Sequence, residues 1–320
     1  MLKYLVIQLD DTSTSFCHYS VSKTERNPIP LDDLRNGILF AMKENLNIQF
    51  IYPDYTLPAE YGKVVESIDH VKIISSRCED AALRDTADIV VFNGWSDIGS
   101  YSWDAEKAYV LRTAKTELFE KYAELDAVVG KIGRLNIVIT DIETFKDGDF
   151  DSYKQVLTAL SGNIEKLYID GLSPQLNLLT DRMMLKTMNN CNAGDEVITL
   201  APDGRFYVCP AFYYEQAYSI GTPADGTEIK NPQLYKLAYA PICRHCDAYQ
   251  CKRCVWLNRK TTLEVNTPSH EQCVAAHLER NESRRLLENI RKIGEFVPDI
   301  SIPEIDYTDP FYVVIDLPSR

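Results

Sequence analysis

Nine cysteines punctuate this 320-residue chain, and seven of them fall in its last 130 residues. In order they read Cys191-X12-Gly204-X4-Cys209, then Cys243-X2-Cys246-X4-Cys251-X2-Cys254, then Cys273. A CX2C pair lets two thiolates grip one metal centre from a single turn, whose backbone amides can donate to the sulfurs. Four thiolates hold one cubane [4Fe–4S] cluster, and seven nearly fill two such sites. Between Pro241 and Lys260 the bases Arg244, Lys252, Arg253, Arg259 and Lys260 face Asp247 alone, a local charge of +4. A four-thiolate cluster is net negative, so this island offsets its charge.

Zinc is the competing reading. The segment CX2CX4CX2C could by itself hold one tetrahedral Zn²⁺, and for that stretch alone zinc and cluster serve equally well. Cys191, Cys209 and Cys273 would then need other roles. A disulfide framework fits an odd cysteine count poorly. Cys78 and Cys17 suit buried free thiols better than this set does.

The elements that must position these thiols come in two textures. Through the first 170 residues, β-branched runs at Tyr4–Leu9, Ile48–Tyr52, Val71–Ser75, Asp88–Phe92, Leu135–Thr140 and Lys166–Ile169 read as strands. Between them Leu34, Ile38 and Met42 recur at helical spacing, and Leu111, Ala114, Leu118, Leu125 and Val129 hold one face of a helix ending near Gly130 and Gly133. Strands alternating with such helices predict an α/β fold whose parallel sheet is either barrel-like or open. Six units are two short of an eightfold barrel. After Asn190 a hairpin is expected, Glu196–Ala201 and Arg205–Val208 joined by Pro202-Asp203-Gly204. A charged amphipathic helix follows from about Ala275 to Ile293, and the acidic, proline-bearing stretch from Phe296 reads as an extended tail.

Composition narrows the function. The net charge of −13 argues against generic nucleic-acid binding, which needs a basic face. No apolar run approaches the ~18 residues of a membrane span, so no membrane partner is expected. The opening MLKYLVIQLDD reads as a buried first strand and not as a signal peptide, which together with the free cysteines points to the cytoplasm. Neither GxxxxGK[ST] nor GxGxxG occurs, which removes nucleotide hydrolysis and dinucleotide binding.

The spacing CX12GX4C, the four close cysteines and the trailing Cys273 resemble the SPASM domain of radical SAM peptide-modifying enzymes. That resemblance covers about residues 185–280; the strand–helix units before it resemble, more weakly, the partial (β/α)6 radical SAM barrel. It implies a barrel over 1–184, an auxiliary-cluster domain over 185–280, and a C-terminal helix with tail over 281–320. It also implies two [4Fe–4S] auxiliary clusters, one taking Cys191, Cys209 and Cys254, the other Cys243, Cys246, Cys251 and Cys273. The family's usual close set is CX2CX5CX3C, so each later gap here is one residue shorter. Some members supply a fourth ligand to the first cluster six residues before its first cysteine, where this chain has Leu185. An iron there is left open or held by another group.

The same family places CX3CX2C in the loop after its first strand, where three thiolates hold the cluster that chelates S-adenosylmethionine. Here that loop is LDDTSTSFCHY, with Asp10, Thr14 and Cys17 at the three positions. The family's Gly-Gly-Glu element is also missing, for the chain contains no Gly-Gly. Cleavage of S-adenosylmethionine by this chain alone is therefore not expected, and Cys17 can equally be a chance buried thiol. The phrases PICRHCDAYQCKRCVWLNRK and EVNTPSHEQCVAAHLERN are similar to maturases of CXXX-repeat peptides, a subgroup of the same family. This implies a cysteine-rich, ribosomally made precursor peptide and a radical SAM partner protein that supplies the missing chemistry. A zinc-stabilised peptide-binding scaffold, or a maturase acting through an open auxiliary cluster, are the alternatives.

Other candidates carry less. His18, His70, His245, His270 and His277 form no HExxH, and each reads as solvated or hydrogen-bonded, with His245 placed to tune a cluster from within its CX2C loop. Asp10, Asp11, Asp141 and Glu143 follow strands whose loops build active sites in barrels, and Asp10 and Asp11 could hold a substrate amine or a partner's lysine. Trp256, Tyr213 and Tyr214 are expected to pack near the cysteines.

Overall fold

The computed structural model describes residues 2–21, 23–185, 187–251 and 253–293. The tail expected from Phe296 lies outside them. The chain folds as two compact units, each drawn from two stretches: residues up to Asn93 with Cys191–Lys236, and Gly94–Asn190 with the residues from Leu237 onward.

The first unit opens with β1 (Tyr4–Gln8), α1 (Leu31–Glu44), β2 (Asn47–Ile51), α2 (Ala59–Val65), β3 (Val71–Ser75), α3 (Ala81–Thr86) and β4 (Ile89–Asn93). These four strands lie parallel in chain order, with Leu5 opposite Ile48, Ile51 opposite Ile73 and Ser75 opposite Val91. Side chains alternate across a strand, so Leu5, Ile7, Ile48 and Phe50 share one face, and all four are buried. Helix α1 covers part of that face with Leu34, Gly37, Ile38 and Ala41. Met42, expected on the stripe, is instead 61% exposed, because Ala41 takes the buried place one residue earlier. The helix stops at Asn45, a left-handed cap at φ 55° whose N–H reaches back to the Ala41 and Met42 carbonyls.

The second unit begins with β5 (Ala108–Thr113), α4 (Lys115–Lys121), α5 (Asp126–Val129), β6 (Arg134–Ile139), α6 (Asp147–Ile169), β7 (Gln175–Leu176) and α7 (Thr180–Met184). Strands β5, β6 and β7 are parallel, with Thr113 opposite Ile139 and Arg134 opposite Gln175. Two sequence expectations fail here. Lys166–Ile169 is the last turn of α6, whose buried Tyr153, Val156, Leu157, Leu160, Ile164 and Tyr168 keep helical spacing to its end. The single helix from Leu111 to Val129 does not form. Leu111 lies in β5, where Tyr109-Val110-Leu111 is buried on both faces as a central parallel strand requires. Gly130 ends α5 at φ −74° and not in the left-handed region.

The chain returns to the first unit with β8 (Val197–Leu200), β9 (Phe206–Tyr207), α8 (Pro210–Tyr214), β10 (Gly221–Thr222) and β11 (Gly226–Thr227). Strand β8 pairs parallel with β1, and β9 folds back on it as the expected hairpin, Leu200 opposite Phe206. It then closes the second unit with α9 (Val255–Thr262) and α10 (His270–Ile293), the latter lying against α6. The expected parallel α/β fold is thus the one observed. Among the described residues no helix is long and apolar enough to cross a membrane.

Gly37 shows how tightly α1 sits. A Cβ there would collide with Leu200 Cδ2, with Ile7 Cδ1 3.8 Å away. Alanine would gain the helix about 0.5–1 kcal/mol, but overpacking a filled core costs about 1–3 kcal/mol. Gly37→Ala is expected to lower stability by about 1 kcal/mol in urea unfolding, and to cost less when paired with Leu200→Ala. Equal cost in both backgrounds would refute this packing account.

Candidate metal centre

Local backbone geometry places four cysteines of the second unit, Cys243, Cys246, Cys251 and Cys273. A single 3₁₀ turn spans Cys243–His245, and the Cys246 N–H bonds the Cys243 carbonyl at 3.1 Å, so one turn presents both thiols of the CX2C pair. The Ala248 N–H donates to Cys246 Sγ at 3.4 Å, and the Arg253 N–H to Cys251 Sγ at 3.2 Å. Cys273 joins from the first turn of α10, where Ser269 and Gln272 cap the helix through reciprocal bonds of 3.0 and 3.4 Å. Gln272 also donates to the buried Asn258, whose amide holds the Val265 carbonyl, so the loop leading to Cys273 is fixed from α9.

Electrostatics join these four thiols. Burial pushes the Cys243 thiol well up, and the sulfurs of Cys251, Cys273 and Cys246 push the same way against Arg253. The Cys246 thiol is pushed up to about 12, by burial first and then by Cys251 and Asp247, while the Ala248 N–H and Arg280 oppose the shift. Metal-free, both are protonated near neutral pH, so metal must displace their protons. The donor set fits an iron–sulfur cluster: Cys246, Cys251 and Cys273 in electrostatic reach of Cys243, two backbone N–H groups already on sulfur, and two arginines to balance thiolate charge. No three cysteine sulfurs of the described residues lie within 4.8 Å of one another; the group that does meet that distance is Cys246, Asp247 and His277.

His277 stands 3.4 Å from Cys246 Sγ through Nε2 and is 6% exposed. Burial first, then Arg280 and Arg182, hold its imidazole down to about 4, so it is neutral. Sequence reasoning placed a tuning histidine at His245 and left His277 aside. The available signal was the i,i+4 spacing of Cys273 and His277, which puts both on one face of α10.

The other predicted ligands are distributed differently. Cys191 is exposed and Cys209, half-buried, precedes α8; both belong to the first unit, while Cys254, at the start of α9, belongs to the second. Gly204 of the CX12GX4C spacing turns the β8–β9 hairpin at φ +75°, and a Cβ there would meet Asp33 Oδ2 at 2.7 Å. That position therefore favours glycine on conformational grounds.

The loop after β1 is filled by its own hydrogen bonds. Asp10, fully buried, accepts from Thr12 N at 2.7 Å, Thr12 Oγ1 at 2.5 Å and Tyr55 OH at 2.9 Å. Thr14 Oγ1 accepts from Asn93 Nδ2 at 3.2 Å. Asp11 does hold an amine, but that of the chain's own Lys23 at 3.1 Å, together with Tyr213 OH at 2.6 Å and Asn27 Nδ2 at 3.0 Å. Burial, then Asp11, pushes the Tyr213 phenol up, so it stays a donor. Tyr214 donates to the Asp11 carbonyl at 2.9 Å; both tyrosines thus brace the β1 loop. Asp141 accepts from Lys115 N at 2.8 Å at the start of α4, and Glu143 pairs with Lys260 at 2.7 Å. Lys260 also lies 5.3 Å above the Trp256 ring.

These features define an α/β protein with a parallel sheet and a thiol-rich centre built on a helix N-terminus. No protein-family model matches the chain, and no curated protein matches it. Among solved structures it is similar to native anSMEcpe with bound AdoMet and Cp18Cys peptide, at a TM-score of 0.61 and 12% identity over 91% of this chain and 100% of that one. A histidine-tagged form of anSMEcpe with bound AdoMet gives 0.62 at 11% identity, covering 91% and 96%. Native anSMEcpe with bound AdoMet and Kp18Cys peptide gives 0.57 at 13% identity, covering 90% and 99%. At these identities the likeness is one of fold.

Proposed function

We propose that this chain is an iron–sulfur protein of ribosomal peptide maturation, a radical SAM-like accessory subunit that works with an active radical SAM partner on a cysteine-rich peptide. The observation that carries the reading is the gathering of Cys243, Cys246, Cys251 and Cys273 in one unit, with backbone N–H groups already aimed at two sulfurs. Those four would hold one [4Fe–4S] cluster; the second rests on the sequence resemblance alone, which assigns it Cys191, Cys209 and Cys254. A bound cluster supplies electron storage and transfer. The chain's own residues exclude water around Cys243, balance thiolate charge through Arg253 and Arg280, and direct N–H donors at sulfur.

The cysteine count favours the cluster over zinc: one tetrahedral zinc takes four thiolates and would leave three of the seven without a role. The fold likeness to a protein solved with AdoMet and peptide supports a peptide substrate. The accessory role rests on Asp10 and Thr14, whose oxygens are committed to Thr12, Tyr55 and Asn93 where the family's motif needs thiolates.

Purified alone, reduced and given S-adenosylmethionine, the chain is expected to yield no 5′-deoxyadenosine above background. Co-expression with the peptide and the partner is expected to modify the peptide, as read by mass spectrometry, and omission of either protein to abolish the modification. Full modification without the partner would make this chain itself the enzyme.

A further inference from the structure

We propose that His277 tunes the cluster held by Cys243, Cys246, Cys251 and Cys273, donating its Nε2–H to the Cys246 sulfur and raising the cluster's reduction potential. This rests on the cluster reading above. The contact is 3.4 Å, in range for nitrogen to sulfur, and the ring is 6% exposed, so water does not compete for it. A metal-bound thiolate has no proton to give. The imidazole facing it must therefore present N–H at Nε2. Helix α10 fixes the arrangement, because Cys273 and His277 sit one turn apart: the element that brings one ligand also brings the donor.

A donor at sulfur stabilises the more negative, reduced cluster, and the effect is larger in a buried setting. The Ala248 N–H already serves the same sulfur, and His277 adds a second donor. The other chemistry open to this corner is direct ligation, since Cys246, Asp247 and His277 all bring ligand atoms within 4.8 Å of one another. Arg280 weighs against it: its guanidinium holds the Asp247 carboxylate at 3.0–3.3 Å, leaving a sulfur and an imidazole that face each other at hydrogen-bond distance.

The test uses the full chain, anaerobically reconstituted, as wild type, His277→Leu and His277→Gln. Iron and sulfide per chain, the midpoint potential followed by EPR, and pulsed EPR of chain labelled with ¹⁵N-histidine are measured. Both variants are expected to keep the wild-type iron. The leucine variant should be about tenfold harder to reduce, a fall of about 59 mV for one electron, with glutamine, which can still donate, in between. Labelled wild type should show a weak nitrogen coupling that disappears in His277→Gln. An unchanged potential in His277→Leu overturns the proposal, and so does a strong coupling from directly bound imidazole or loss of about four irons from both variants. If His277→Leu alone fails to load, the coupling lost between wild type and His277→Gln decides. Zinc in place of iron in the wild type would sink the underlying cluster reading as well, and is seen before any variant is made.

Discussion

Glu279→Ala is expected to destabilise the protein by about 3–5 kcal/mol, the cost of leaving a buried charge without its partner. Glu279 is 0% exposed and Arg182 1%, and their ion pair measures 2.5 Å. Tyr153 OH donates to the same carboxylate from α6. Arg182 also donates to the carbonyls of Asn177 at 3.2 Å and Leu178 at 2.9 Å, and to that of Gln250. One guanidinium thus ties α7, α10 and the strand-end loop to the residue before Cys251. Glu279→Gln keeps one acceptor oxygen, turns the other into an NH2 donor and strips the compensating charge, so it should still cost more than Tyr153→Phe, which removes one hydrogen bond worth about 0.5–3 kcal/mol. Urea or guanidinium unfolding of the metal-free chain gives these values. A loss under about 1 kcal/mol for Glu279→Ala would show that the buried network contributes little.

The second large effect is on metal content. Anaerobically reconstituted wild type is expected to bind about eight irons with matching sulfide and to absorb broadly near about 400 nm, as two four-iron thiolate cubanes would. Cys246→Ala should retain about four irons, because only the Cys243, Cys246, Cys251, Cys273 site loses a ligand. It should also lose part of the stability of the loop from Cys243 to Cys254, where metal binding and folding are coupled. Roughly one zinc per chain and no iron, under the same conditions, would refute the cluster reading. Loss of all iron from Cys246→Ala would instead mean that the two sites are not independent.

The expected strands before residue 100, and the one at Leu135, needed little more than local pattern, because apolar β-branched runs such as Tyr4–Leu9 and Val71–Ser75 have few other ways to bury themselves. Lys166–Ile169 misled because four apolar or amphipathic residues look alike at the end of a helix and in a short strand. Their place was settled by the stripe from Tyr153 to Tyr168, which only a 23-residue helix keeps on one face. Leu111 misled for the converse reason: its spacing to Leu118 is helical, but Tyr109–Leu111 is buried on both sides in β5.

At the site, residue type and spacing by themselves determined that Cys243 and Cys246 would share a turn and that Gly204 would turn a hairpin. These are properties of neighbours in the chain, set by backbone geometry over a few residues. Tertiary structure alone decided the rest: that Asp11 is claimed by Lys23 and Tyr213, 12 and 202 positions away, that Arg182 is paired with Glu279, 97 positions away, and that His277 meets Cys246 across 31. A charge or an imidazole has no preferred distant partner in sequence. It acquires one when packing removes water and leaves a single group within hydrogen-bond reach to replace it.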